Sequence, residues 1–162
     1  VELLNTLRLS RIALHARTGK QQYKGHPDLE AFQGFYELCQ HPLYYNGGIE
    51  SLSDIRQILI RFPLLKGVFI GRGLLSSPLL AKEFKGNETF LPEQRMSIYF
   101  AFHEELFSAY SQVLQGETQL LVKMKTLWEY FLPETDRKLL KRIKKSTRLQ
   151  QYTESVKAIF TS

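Results

Sequence analysis

Two runs constrain this chain more than any other feature: Tyr45-Asn46-Gly47-Gly48-Ile49 and Phe69-Ile70-Gly71-Arg72-Gly73. Each closes an apolar stretch with the length of a short β-strand, and each leads into residues with helical periodicity. Glycines at a strand end let the chain turn sharply and leave the backbone open to close approach. A strand, a glycine-rich turn and an amphipathic helix used twice in succession is the repeating unit of a parallel α/β sheet with right-handed crossovers.

A third copy of the unit precedes these two. In Arg11-Ile12-Ala13-Leu14-His15-Ala16-Arg17, alternation sends Ile12 and Leu14 to one face and Ala13, His15 and Arg17 to the other. A loop through Gly19 and Gly25 leads to a helix from Leu29 to Cys39. The second strand spans Pro42 to Asn46, with Ser51 or Ser53 capping a helix that carries Ile55, Ile58, Leu59 and Phe62. The third spans Leu65 to Ile70, with a short helix over Pro78 to Phe84. The leucines before Ser10 read as the end of an earlier helix. Exposed turn N–H groups and a helix N-terminus after successive strands are the parts of a phosphate site, and (β/α)8 barrels place one after their last two strands. A barrel needs about 200 residues or more, whereas the alternation here stops near Lys85-Gly86-Asn87. The fold expected is therefore α/β: the C-terminal portion of a (β/α)8 TIM barrel over residues 1–84, with three parallel strands, and an all-α helical bundle over 85–162. The chain reads as the C-terminal part of a larger enzyme.

In the second part, Tyr99, Phe102, Leu106, Tyr110 and Val113 form a stripe on a helix from Arg95 to Gln115, and Leu120, Leu121, Met124, Leu127, Trp128 and Phe131 form another over 118–131. Asp136 can cap a helix with Leu139, Leu140 and Ile143 on one side, and Thr147 with Gln150 has capping-box spacing for a last helix. The net charge is +6, and its distribution matters more than its size. Arg137, Lys138, Lys141, Arg142, Lys144, Lys145 and Arg148 stand within one stretch that holds no acidic residue, which points to a polyanionic partner or to a solvated helix face. The single cysteine, Cys39, excludes an internal disulfide and fits a reducing, cytoplasmic setting. No apolar run approaches a membrane span. His26, His41 and His103 lack metal-ligand spacing, and no metal site is expected.

With these residues in view, His15-Ala16-Arg17-Thr18, Gln21-Gln22-Tyr23-Lys24-Gly25, Asn46-Gly47-Gly48-Ile49 and Ile70-Gly71-Arg72-Gly73 resemble, in order and spacing, the tRNA-dihydrouridine synthase family. The resemblance is strong over the first half, while the remainder is similar in character to that family's basic helical tRNA-binding domain. It implies an FMN-dependent enzyme that uses NADPH to reduce uridine to 5,6-dihydrouridine in tRNA. It also implies that Asn46, Gly47, Gly48, Gly71 and Arg72 meet the FMN phosphate and that His15 contacts the flavin. For RNA, Arg17, Lys20 and Lys24 at the barrel mouth join the seven basic residues of 137–148. The family's proton-donating cysteine lies in a barrel half with no counterpart here, and Cys39, at the end of an outer helix, is no substitute. No catalytic residue is thus expected in this chain, which alone should be inactive. Two alternatives stay open: another FMN-dependent barrel resembling dihydroorotate dehydrogenase, or a non-catalytic RNA-binding module. The open edge of a half-barrel further raises the expectation of self-association through that edge.

Overall fold

The computed structural model describes residues 1–21 and 24–161. Two compact units make up the chain, Val1–Leu74 and Leu75–Ser162.

The first unit is built as strand, helix, strand, helix, strand: β1 (Ile12–His15), α2 (Leu29–Leu38), β2 (Leu43–Asn46), α3 (Leu52–Arg61) and β3 (Gly67–Phe69), preceded by a single helical turn, α1 (Glu2–Asn5). The strands pair in parallel in the order β1-β2-β3, as the repeated strand-turn-helix pattern requires. Ile12 stands opposite Leu43, and His15 opposite Asn46. Asn46 in turn stands opposite Phe69. Burial follows the alternation. Leu43 and Tyr45 are buried on the helix-covered face, where Phe32 meets Tyr45 edge-on with centroids 4.9 Å apart and Phe62 at 5.0 Å. Ala13, His15, Tyr44, Asn46 and Phe69 fall on the opposite face, with Tyr44 and Phe69 in edge contact at 5.6 Å. Each helix begins where its sequence provides a cap. Asp28 accepts from the N–H groups of Glu30 and Ala31, and Ser51 with Asp54 forms a reciprocal capping box. Of the leucines before Ser10, Leu3 and Leu4 are in the expected helix end, while Leu7 and Leu9 lie beyond its last residue, Asn5. None of the residues of α1 is fully buried, and the turn is held by polar contacts, Asn5 to Leu38 O and Gln40 N and His41 Nε2 to Leu4 O.

The second unit is helical. α4 (Arg72–Ser76) runs across the division, followed by α5 (Leu80–Gly86), α6 (Pro92–Val113), α7 (Glu117–Leu127), α8 (Arg137–Lys145) and α9 (Leu149–Phe160). Its core joins Leu79, Tyr99, Met124, Trp128, Phe131, Ile143, Tyr152 and Val156. The units divide after Leu74 rather than at residue 84. Leu79 belongs to the helical core, and the buried Glu83 carboxylate pairs with Arg95 of α6, so α5 is held by the bundle. Two further expectations are corrected here. The helix placed over 78–84 is α5, but an additional short helix, α4, precedes it, and the last helix starts one residue later than the Thr147–Gln150 spacing implied. Arg148 is its N-cap, which makes residue 151 the third helical position. Gln151 Oε1 accordingly accepts from both Thr147 N and Thr147 Oγ1.

The aromatic packing of the first unit yields a stability test. Replacing Phe32 by Ala removes a side chain that is only 1% exposed and its edge contacts with Tyr45 and Phe62, and should lower unfolding free energy by about 3–5 kcal/mol. Urea titration of parent and variant measures this.

Candidate functional site

Because β1, β2 and β3 are parallel and in register, their C-terminal ends lie side by side. His15, Asn46, Gly47, Gly48, Gly71 and Arg72 consequently line one cavity of about 200 Å³, together with Ile49, Glu50, Phe69 and Gly73. All six residues singled out for a phosphate-bearing cofactor are thus brought together, although they come from three separate stretches of sequence. The four additional lining residues were not singled out as site residues. Phe69 was accessible to the alternation rule, since it pairs with Asn46 and remains 45% exposed. Glu50 carried no such signal, and its charge opposes that of Arg72.

The glycines differ in what they do. Gly47 and Gly48 adopt φ of 146° and 60°, a region that L side chains rarely enter. A Cβ at Gly48 would lie 3.0 Å from Pro27 Cγ, and one at Gly47 would lie 3.2 Å from Pro27 Cγ and 3.4 Å from His15 Cδ2. The turn is therefore pressed between the Pro27 ring and the β1 end. A Cβ on Gly73 would collide with the carbonyl oxygen of Ile49, so this glycine lets the first turn of α4 pack against the loop after β2. Gly71 is different, with nothing within 4 Å of an added Cβ. Space beside an uncluttered backbone, a guanidinium at Arg72 and an imidazole at His15 form a donor set that fits a phosphate and a polar ring edge.

One part of the expected phosphate site, the start of α3, is partly engaged in its own cap. Asp54 Oδ2 accepts from Glu50 N and Ser51 N at 3.0 and 2.8 Å, and Ser51 Oγ accepts from Asp54 N. The capping box thus takes the N–H groups of Glu50, Ser51 and Asp54, while those of Leu52 and Ser53 in the first turn of α3 take no part in it. The Gly47 and Gly48 N–H groups take part in no turn or cap hydrogen bond among the described residues. Behind the turn, burial pushes the Tyr45 phenol above its ordinary pKa, opposed by the nearby Arg17 charge and reinforced by Asp54. Arg17 Nη1 donates to Lys24 O at 2.7 Å, while its Nε is buried without a partner among the described residues. The half-buried Arg17 thus braces its own loop, whereas Lys20 and Lys24 are exposed. Gln22 and Tyr23 of the same motif lie outside the described residues. Cys39 is half-buried, with Sγ 3.7 Å from His41 O.

In the helical unit, α8 turns Ile143 fully inward and leaves its basic residues exposed. Lys138, Lys141, Arg142 and Lys145 line a cleft of about 410 Å³ with Ser146, Gln151, Glu154 and Ser155. Arg137 and Lys144 lie on α8 outside this cleft, and Arg148 is the N-cap of α9. Among the described residues no group of three or more His, Cys, Asp or Glu is placed to hold a metal ion, and no helix is long and apolar enough to cross a membrane.

A family model described as "Dihydrouridine synthase (Dus)" matches residues 7–161. The chain belongs to the dihydrouridine synthase family. It is 34% identical over 85 residues to a probable tRNA-dihydrouridine synthase of Aquifex aeolicus (strain VF5), covering 52% of this chain and 27% of that protein. To a probable tRNA-dihydrouridine synthase of Rhizobium leguminosarum bv. phaseoli it is 36% identical over 67 residues, 41% of this chain and 21% of the relative. The matches thus span about a quarter of the length of these curated relatives. The dihydrouridine synthase assignment sets aside the dihydroorotate dehydrogenase-like alternative. It also accounts for the parallel strands as part of a TIM barrel.

The contrast between Gly48 and Gly71 separates folding from binding. Gly48→Ala combines left-handed backbone with the Pro27 contact and should destabilise the chain by about 1–2 kcal/mol. Gly71→Ala meets open space and should stay within about 0.5 kcal/mol of the parent, yet weaken phosphate binding by crowding the cavity. Thermal unfolding and phosphate titration of both variants read the two effects independently.

Proposed function

We propose that this chain forms part of an FMN-dependent tRNA-dihydrouridine synthase, an oxidoreductase that reduces uridine to 5,6-dihydrouridine in tRNA with NADPH as reductant. The observation that carries this reading is the convergence of His15, Asn46, Gly47, Gly48, Gly71 and Arg72 on one cavity at the C-terminal ends of parallel strands. Family membership supports the chemistry, and the names of the two relatives support tRNA as substrate. When bound, the flavin supplies the two-electron chemistry that saturates the pyrimidine double bond. The chain's own residues bind and orient. Gly47 and Gly48 offer backbone N–H groups to the phosphate, Arg72 supplies a cationic fork for its oxygens, and His15 stands where an imidazole can meet the ring's polar edge.

In this reading the unit Val1–Leu74 is the cofactor side and Leu75–Ser162 the RNA side, working in a reducing cytoplasm. Cys39 does not supply the catalytic proton, because it sits half-buried at the end of α2, and the 162-residue chain by itself does not turn over uridine. The sheet ends at β1 and β3, and these edges are the surfaces through which self-association would run. As an RNA-binding module without turnover, the isolated chain would keep the basic cleft and lose only the redox step.

Two measurements test the proposal. Titration of the chain with FMN should give a dissociation constant weaker than micromolar, since the described cavity offers several groups to the phosphate and His15 to the ring. Arg72→Ala should weaken it by about a further 10- to 100-fold, the value of a charge-assisted hydrogen bond. Binding at micromolar or tighter, or an unaltered constant in the variant, would place the flavin site elsewhere. For RNA, replacing Lys141, Arg142 and Lys145 by Ala should weaken tRNA binding about equally across tRNA sequences. The slope of log K against log salt should flatten by up to about three, and an unchanged slope would reduce this face to a solvated helix.

A further inference from the structure

The helical unit holds a buried polar cluster, centred on Tyr152, that neither binding site uses. His103 of α6 is 1% exposed, Trp128 at the end of α7 is 2% exposed, and Tyr152 of α9 is fully buried. All three meet at the Tyr152 oxygen: His103 Nε2 lies 2.7 Å from it and Trp128 Nε1 2.9 Å. On its other side, His103 Nδ1 lies 3.1 Å from Glu104 Oε1. Phe107 stacks on both the imidazole and the phenol.

The protons in this cluster can be placed by counting donors. An indole N–H only donates, so Trp128 gives its hydrogen to the Tyr152 oxygen. The phenol then has its own hydrogen to place, and the one acceptor facing it is an unprotonated His103 Nε2. The imidazole hydrogen must therefore sit on Nδ1, directed at the Glu104 carboxylate. Every polar atom of the cluster is then satisfied, in a single chain running from Trp128 through Tyr152 and His103 to Glu104. A second proton on His103 would break it. Two N–H donors would then converge on the phenol oxygen, the phenol hydrogen would lose its acceptor, and a cation would be buried among aromatic rings with the largely exposed Glu104 carboxylate as its counter-charge.

We propose that the His103–Tyr152–Trp128 cluster is a pH-sensitive clasp, closed while the imidazole is neutral, whose protonation in mildly acid solution releases α9 from α6 and α7. The groups facing the imidazole are Glu104 on its own helix, Tyr152 on α9, and the uncharged Trp128 and Phe107. Burial lowers the His103 pKa, and the Glu104 carboxylate only partly opposes the shift. Tyr152 is held above its ordinary range by burial and so remains a donor at neutral pH. The sign follows: the unfolded chain takes up a proton near pH 6.5 while the folded chain resists it until lower pH. The stabilisation is thus complete above about pH 6.5 and is lost as the pH falls below that value.

Trp128 is the only tryptophan of the chain, so its fluorescence reports on the clasp directly. Urea unfolding of the 162-residue chain followed at Trp128 should show the folding constant falling by up to about tenfold per pH unit between pH 6.5 and 5. In His103→Gln that dependence should flatten. A parent constant that stays level over this range, or an equal slope in the variant, would overturn the proposal. Should His103→Gln fail to fold, the imidazole nitrogen shifts of the labelled parent decide. A proton on Nδ1 at neutral pH supports the clasp and a proton on Nε2 refutes it.

Discussion

The register of three short parallel strands governs the first unit. Pairing His15 with Asn46, and Asn46 with Phe69, brings the strand ends level, so the turns that follow occupy one rim. The same register directs Leu43 and Tyr45 toward Phe32 and Phe62, and it is this aromatic contact that resists slippage. A shift of one residue would put Tyr45 on the cavity side and bury Tyr44 and Asn46 instead. Packing on one face of the sheet is therefore what positions the polar residues of the other.

At the rim, conformational demands and binding chemistry coincide in Gly47 and Gly48 but not elsewhere. Their left-handed backbone fits the turn beneath Pro27 and at the same time keeps side chains away from the cavity. Gly73 serves contact between the start of α4 and the loop after β2, while Gly71 is under no steric demand from its surroundings. The capping box of Ser51 and Asp54 stabilises α3 by occupying the N–H groups of Glu50, Ser51 and Asp54. Helix stability and anion binding draw on neighbouring donors there, and the cap leaves those of Leu52 and Ser53 out of its own bonds.

In the helical unit the competition is between charge and burial. α8 concentrates cations, two of them at its first turn, where the helix dipole disfavours positive charge. Asp136, which accepts from Lys138 N and Leu139 N, and the inward Ile143 hold the helix despite this. At its other end the Lys125 ammonium donates to Ser146 O, closing the C-terminus and adding another cation beside the cleft. A surface that accepts such repulsion is suited to a partner that relieves it.

Strand order, helix positions and the six cavity residues were legible in the sequence because alternation, three- and four-residue spacing and glycine at strand ends are local signals. So was the cap at Asp136, which needs only its own helix. What escaped was set by neighbours remote in sequence. Glu83 and Leu79 belong to the bundle because Arg95 and the helical core receive them, which moved the boundary. His103 lies four residues after Tyr99 and three before Leu106, on the buried stripe, but its role depends on Trp128 and Tyr152, 25 and 49 residues away by their numbering. Arg17 likewise reads as a surface cation until its guanidinium is seen to hold Lys24 O. The sequence by itself determined which segments form elements and which residue types stand at their ends, since both follow from backbone geometry and the period of side chains. Only the tertiary structure decided which polar groups are already satisfied and which remain for a ligand, because a donor's partner is chosen by proximity in space.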